Sequence, residues 1–274
     1  MIPNVLSIAG VDPSGGAGIF ADIKTFSALG AYGCGVVTAL TAQNTRAVTG
    51  IFPVSPAFVA EELDTLFADV RIDAVKIGMI AESSIVKVVA DRLERYAPAF
   101  VVIDPVMVAK SGDALMPAET VGVFKEALLP LATVITPNLP EAACLLSESP
   151  VQSADRMAGV AARLAGLLRP GAWVLLKGGH LASDESPDYL TDGDQAFTFE
   201  GSRIATKNTH GTGCTLSSAV AALLPQKRSV PLAVGEAKGF MQRAIAASGR
   251  LEVGRGHGPV HHFAGLWSEP EESR

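Results

Sequence analysis

The 274-residue sequence predicts an α/β fold: one domain with a mostly parallel central sheet and helices on both faces. Three observations carry that expectation. Short apolar runs alternate with amphipathic stretches over nearly the whole chain. The runs are apolar at successive positions, as strands covered from both sides must be. The 27 glycines and 17 prolines are too many for a helical bundle and suit repeated strand-to-helix turns.

Taken in order, strands are expected at 5–9, 36–40, 74–77, 100–103, 133–135 and 173–176, each bounded by Gly, Pro, Asp or Asn. Helices are expected at 17–29, 56–67, 82–95, 118–128, 154–168, 212–223 and 232–248. Pro56 and Pro140 stand near helix starts, where a missing N–H is harmless. Residues 189–199 read as a β-hairpin around Asp192-Gly193-Asp194, an antiparallel addition to the sheet. No linker, charge block or low-complexity segment cuts the chain. Residues 1–274 are therefore expected to form a single unit, with a frayed polar tail at 269–274.

Composition narrows the function classes. A hydrophobic share of 48% against 18% charged residues provides a large core and argues against disorder. With 22 Lys and Arg against 28 Asp and Glu, the net charge of −6 lacks the footprint that nucleic-acid binding requires. An anionic substrate must be held locally, by backbone amides and a few lysines. Cys34, Cys144 and Cys214 form no CxxC pair, which suits a reducing compartment and carries no zinc signature. No basic segment precedes the first apolar run, and no stretch approaches the ~18 apolar residues of a membrane span. A cytoplasmic protein with neither membrane nor nucleic-acid partners is expected.

The richest segment runs from Lys207 to Leu216, where Gly211 and Gly213 precede a helix of small residues. Free N–H groups and the dipole at a helix start favour an anion, and glycines let phosphate oxygens approach. An ordinary turn into a buried helix is the plainer reading. Cys214, in the first turn, is expected to have a depressed pKa and to accept a proton. Cys34 and Cys144 are expected to be small buried hydrophobes. The glycine-rich loop at 9–18 fits neither a dinucleotide fingerprint nor a Walker A loop, and suits a strand-to-helix loop beside a small ligand. Asp22, one turn further on, either touches that ligand or faces solvent. Asp104-Pro105-Val106 closes an apolar strand, where ligands of open α/β sheets bind and an Asp can hold magnesium. Asn138 and Glu141 after the fifth expected strand, and Lys177 after the sixth, repeat that placement.

These segments, with Thr41-Ala42-Gln43-Asn44-Thr45, Lys76-Ile77-Gly78-Met79 and Gly256-His257-Gly258-Pro259, resemble the ribokinase-like superfamily. Within it they resemble the hydroxymethylpyrimidine/phosphomethylpyrimidine kinase family of thiamine biosynthesis, with motifs in order over essentially the whole chain. The resemblance implies phosphorylation of 4-amino-5-hydroxymethyl-2-methylpyrimidine and then of its monophosphate, using ATP and magnesium. It implies a pyrimidine site of Gly10, Ala17, Asp22, Gln43, Met79 and Val106. Asp104 and Glu141 then stand as metal ligands, and Asn138, Lys177, Thr209, Thr212 and Lys238 as nucleotide-binding residues. Gly211 and Gly213 form the anion hole beside Cys214, the base where sugar kinases of this fold carry Asp. A homodimer is implied as well. Pyridoxal kinase activity, or a non-catalytic vitamin-binding protein on the same fold, is the alternative.

Overall fold

The computed structural model describes residues 1–107, 115–182, 185–227 and 229–268; the expected frayed tail at 269–274 lies outside these. Among the described residues, nine strands form one sheet. They are β1 (Asn4–Val11), β2 (Tyr32–Gln43), β3 (Val48–Pro53), β4 (Ala74–Ile77), β5 (Phe100–Ile103), β6 (Val134–Ile135), β7 (Trp173–Lys177), β8 (Asp188–Thr191) and β9 (Ala196–Phe199). The order is β3-β2-β1-β4-β5-β6-β7-β8-β9, parallel from β2 to β7 and antiparallel at β3, β8 and β9. The chain leaves β1 toward β2 on one side and returns to β4 on the other. That reversal opens a crevice beyond the carboxyl ends of the central strands.

Among the described residues, eight α-helices cover the sheet: α1 (Gly18–Ala28), α2 (Pro56–Asp69), α3 (Ser83–Tyr96), α4 (Ala118–Ala127), α5 (Leu139–Leu146), α6 (Met157–Ala165), α7 (Thr212–Lys227) and α8 (Val230–Ala246). Side chains alternate between faces along a strand, so one strand feeds two cores. Val5, Ala74, Val102, Val134 and Leu175 pack with Phe26 of α1 and the small apolar residues of α7 and α8. Their neighbours Leu6, Val75, Ile103, Ile135 and Leu176 pack with Val59, Ile85, Phe124, Leu139 and Met157 of α2 to α6. This is why the strands are apolar at successive positions.

The structure departs from the expected elements in four places. β2 begins at Tyr32, because Gly33 and Gly35, which read as breakers, pair in register with Val5 and Ser7. β3 is an additional edge strand whose residues are mostly exposed, so no apolar alternation marks it. α5 is absent from the expected helix ranges, although Pro140 reads as standing near a helix start; Pro140 in its first turn and the Asn138–Glu141 capping box start it. Cys144, expected to be buried, is exposed, and Cys34 is only half-buried. α5 is apolar at nearly every position, so only the packing of Ala142 and Leu145 decides which face turns inward.

Candidate active site

Two loops from distant parts of the chain meet at the crevice. After β1, the Asp12 carboxylate accepts hydrogen bonds from Ser14 N (2.9 Å), Ser14 Oγ (2.9 Å) and Ala17 N (3.0 Å), folding residues 12–17 around itself. His210 Nε2 lies 2.7 Å from Asp12 Oδ2 and ties the segment before α7 to that loop. Burial by itself would raise the Asp12 carboxyl, but the bonds from His210 and Ser14 hold it below the usual carboxylate range. Gly211 has φ +76°, and a Cβ there would collide with the Gly16 carbonyl, so glycine is required at the crossing.

At the start of α7, the space in front of Gly213 is taken by charged groups: a Cβ there would sit 3.3 Å from Lys177 Nζ and 3.7 Å from Asp104 Oδ2. Lys177 donates to Asp104 Oδ1 at 2.9 Å and lies 3.9 Å from Glu141 Oε2. Thr136 Oγ1 donates to Asp104 Oδ1 at 3.0 Å, and Ser217 Oγ lies 3.2 Å from Oδ2. Burial opposes charge on Asp104, yet Lys177 and Lys76 keep its carboxyl below the ordinary range. Glu141 goes the other way: burial, reinforced by the Asp104 charge and opposed by Lys177, pushes it up to about 7. Asn138 N donates to Glu141 Oε2 and Glu141 N to Asn138 Oδ1, both at 2.8 Å.

Cys214 is half-buried beside this cluster. Its expected depressed pKa is not found. Burial, with the Asp22 and Asp104 charges, outweighs Lys76 and the hydrogen bond from Gly18 N–H, and the thiol is pushed up to about 11. Asp22 is likewise corrected as a ligand-contacting residue. It is fully buried beneath the crevice, where it accepts from Ser7 Oγ (2.6 Å), Ser218 Oγ (2.6 Å) and Lys76 Nζ (2.9 Å to both oxygens). Lys76 went unassigned in the sequence. A lysine inside the apolar run Ala74-Val75-Lys76-Ile77 was the available signal, since a buried charge demands a partner.

The remaining expected residues divide. Gly10, Met79 and Val106 come together: a Cβ on Gly10 would meet the Met79 methyl, and Val106 packs on the cluster of Ala39, Met79 and Leu115. Thr38 Oγ1 donates to the Met79 carbonyl at 2.9 Å and fixes that floor. Ala17 caps α1 beside the 210–213 turn. Gln43 ends β2, its Oε1 accepting from Thr41 Oγ1 at 3.1 Å. Thr212 N donates to the Thr209 carbonyl at 3.4 Å in the turn that opens α7. Lys238 pairs with Asp188 at 2.6 Å, and Asp188 Oδ1 accepts from Gly178 N, bracing the loop after Lys177.

A small apolar floor, a glycine turn into a helix and a buried Lys–Asp–Glu cluster thus share one crevice. A family model for phosphomethylpyrimidine kinase matches residues 12–261. The chain belongs to the phosphomethylpyrimidine kinase family. It is 54% identical over 266 residues to the hydroxymethylpyrimidine/phosphomethylpyrimidine kinase of Escherichia coli K12, covering 96% of this chain and 98% of that one. Identity to the enzyme of the same name from Rhizobium meliloti is 49% over 267 residues, 96% of this chain and 98% of that one. Among solved structures, Bacillus subtilis pyridoxal kinase in complex with ADP superposes with TM-score 0.88 at 36% identity, covering 96% and 98% of the two chains. Phosphomethylpyrimidine kinase of Clostridium difficile gives 0.78 at 37% identity, covering 89% and 99%. Membership in this kinase family agrees with the expected ribokinase-like α/β fold.

Proposed function

We propose that this chain transfers the γ-phosphoryl group of ATP to the hydroxymethyl oxygen of 4-amino-5-hydroxymethyl-2-methylpyrimidine, and then phosphorylates the resulting monophosphate, in thiamine biosynthesis. The observation that carries the reading is Lys177 and Asp104 standing against the Gly213 backbone at the start of α7, with Cys214 next in the chain. Amides in the first turn of a helix have no intrahelical acceptor, so those of Gly213 and Cys214 are suited to charge on the transferring phosphoryl group. Lys177 adds a fixed cation on the same side, and Asn138, Thr209, Thr212 and Lys238 border the nucleotide. The pyrimidine ring rests on Met79 and Val106 over Gly10 and Ala17. The Gln43 carboxamide donates to a ring nitrogen and accepts from the amino group. Cys214 takes the hydroxyl proton.

The donor set also suits a divalent cation. Asp104 and Glu141 provide hard carboxylate oxygens on either side of Lys177. Among the described residues, no cluster of three or more His, Cys, Asp or Glu could enclose a metal, so a cation held by Asp104 and Glu141 would take the rest of its ligands from water or substrate phosphate. A magnesium ion held there would supply positive charge to offset that of the ATP phosphates.

A homodimer is part of the reading, supported by exposed Ile51 and Phe52 on edge strand β3. A cytoplasmic location is supported by the three free cysteines. Pyridoxal phosphorylation is the second reading, favoured by the close superposition on pyridoxal kinases. ATP consumption measured side by side with the pyrimidine, pyridoxal and ribose tests the assignment. The expected order places the pyrimidine first and ribose at background; pyridoxal turned over faster than the pyrimidine would reverse it. Gln43→Ala should weaken pyrimidine binding by about 1–3 kcal/mol in calorimetry.

A further inference from the structure

We propose that Thr45 is a positioning residue for the phosphoryl transfer: through the segment 256–258 it fixes the Gln43 end of β2 relative to the glycine turn at Gly211, and so couples pyrimidine binding to nucleotide binding. The inference rests on the functional reading above, with the pyrimidine at Gln43 and phosphate charge at the start of α7. It extends that reading to what holds the two halves of the site in register.

The sequence motifs at 41–45 and 256–259 meet in the structure across 211 residues. Gly256 N donates to Thr45 Oγ1 at 3.0 Å, and His257 N donates to the Thr45 carbonyl at 2.9 Å. The next residue turns to the other loop. His210 N donates to the Gly258 carbonyl at 3.0 Å, and Pro259 forms a parallel β-bridge with His210. Both glycines of the motif are required by close approach. A Cβ on Gly256 would collide with the Thr45 carbonyl, and one on Gly258 with the Asn208 carboxamide. Consecutive residues of one segment thus reach from the position two places after Gln43 to the position just before Gly211.

Sheet pairing holds this hairpin less firmly. β3 is an exposed edge strand, and the β2–β3 register shifts between Ala42 and Gln43. The tip closes on itself through Asn44 Oδ1, which accepts from Arg46 N (2.8 Å) and Ala47 N (3.2 Å). Those bonds shape the tip without tying it to α7. The Thr45 bonds tie it, and His210 carries the link on to Asp12 at 2.7 Å. A ligand that draws Gln43 into place therefore also sets the turn at Gly211, and the second ligand meets a site already in register. Coupling of this kind is reciprocal between the two ligands.

The test measures pyrimidine affinity by calorimetry, with and without magnesium and an ATP analogue carrying a methylene between its β- and γ-phosphorus atoms. Single-turnover rates with ATP accompany it. In the wild type, the bound analogue should tighten the pyrimidine by about five- to fiftyfold. Thr45→Val keeps the shape of the side chain and removes its hydroxyl. It should bring that ratio below about twofold and slow transfer by about 10–10²-fold, with each ligand alone binding as in the wild type. Thr45→Ser, which keeps the hydroxyl, should restore both coupling and rate. Thr49→Val removes a hydroxyl that donates to the Ala42 carbonyl within the same hairpin, and it should leave the coupling intact. Wild-type coupling in Thr45→Val would overturn the positioning role, whatever that variant's denaturation midpoint. Equal loss of coupling in Thr45→Val and Thr49→Val would overturn it too, assigning the effect to the hairpin as a whole. So would a wild type that phosphorylates the pyrimidine but binds it equally well with and without the analogue. A wild type that binds no pyrimidine would overturn the functional reading itself, and the inference with it.

Discussion

Two buried lysine–aspartate pairs flank the first turns of α7, and both have N–O distances of 2.9 Å. Lys76 and Asp22 are 0% exposed, whereas the side chains of Lys177 and Asp104 keep 11% and 2% of their surface. The Asp22 carboxylate is saturated by Lys76 and two serines from β1 and α7, so it joins three elements and has nothing left to offer a ligand. Lys177 is shared between Asp104 and Glu141, and its Nζ stands against the Gly213 backbone. The same ion pair is a rivet in one place and part of the candidate site in the other. Access to the crevice and the number of competing partners make the difference.

The largest expected effect breaks the sealed pair. Lys76→Met leaves the Asp22 charge buried without a cation and should cost about 3–5 kcal/mol in chemical denaturation. The double variant Lys76→Met, Asp22→Asn should recover more than half of that loss. A cost below about 1 kcal/mol for the single variant would remove the distinction between the pairs.

Lys177→Met probes the other side. Asp104 and Glu141 border the crevice, so the stability loss should be smaller than for Lys76→Met. Single-turnover phosphoryl transfer should nevertheless fall by about 10²–10³-fold, the effect of deleting one group that stabilises developing charge. A denaturation midpoint lower than that of Lys76→Met would invert the comparison.

The smallest effect concerns a third buried pair. His210→Ala removes the bond to Asp12 and should cost about 1–3 kcal/mol at neutral pH. Because the folded Asp12 carboxyl lies below its unfolded value, its stabilisation is complete above the unfolded pKa and is lost as pH falls through the folded one. His210→Ala should make the decline in stability below pH about 4 shallower. His210→Gln, which keeps an N–H at the same reach, should restore most of both. An unchanged acid limb in His210→Ala would mean that Asp12 draws its support from Ser14 and Ala17 alone.

Much of the fold was legible because parallel strands buried on both faces write themselves as unbroken apolar runs, as at Val5-Leu6 and Val101-Val102-Ile103. β3 was not, because an edge strand with exposed faces carries no such run. In the candidate site, the glycine turn into α7 at Gly211 and Gly213, with Cys214 next, was legible because these residues lie within four positions and depend on local backbone geometry. Asp22 was misplaced because a polar residue one turn into a helix looks the same whether it meets a ligand or a buried lysine 54 positions away.

By itself, the sequence determined the alternation of strands and helices, the glycine turn into α7 and the presence of a thiol in its first turn. These depend on side-chain periodicity and on backbone freedom within a few residues, and both are local properties. Only the tertiary structure decided which charges pair. Asp104 meets Lys177 across 73 residues and Asp12 meets His210 across 198. It also raised the Cys214 thiol where helix-end arguments would lower it, because desolvation and neighbouring carboxylates belong to the packed assembly of elements. Electrostatic energy depends on distance and burial, which chain order does not encode, so the site's ionisation is a property of the fold rather than of any motif within it.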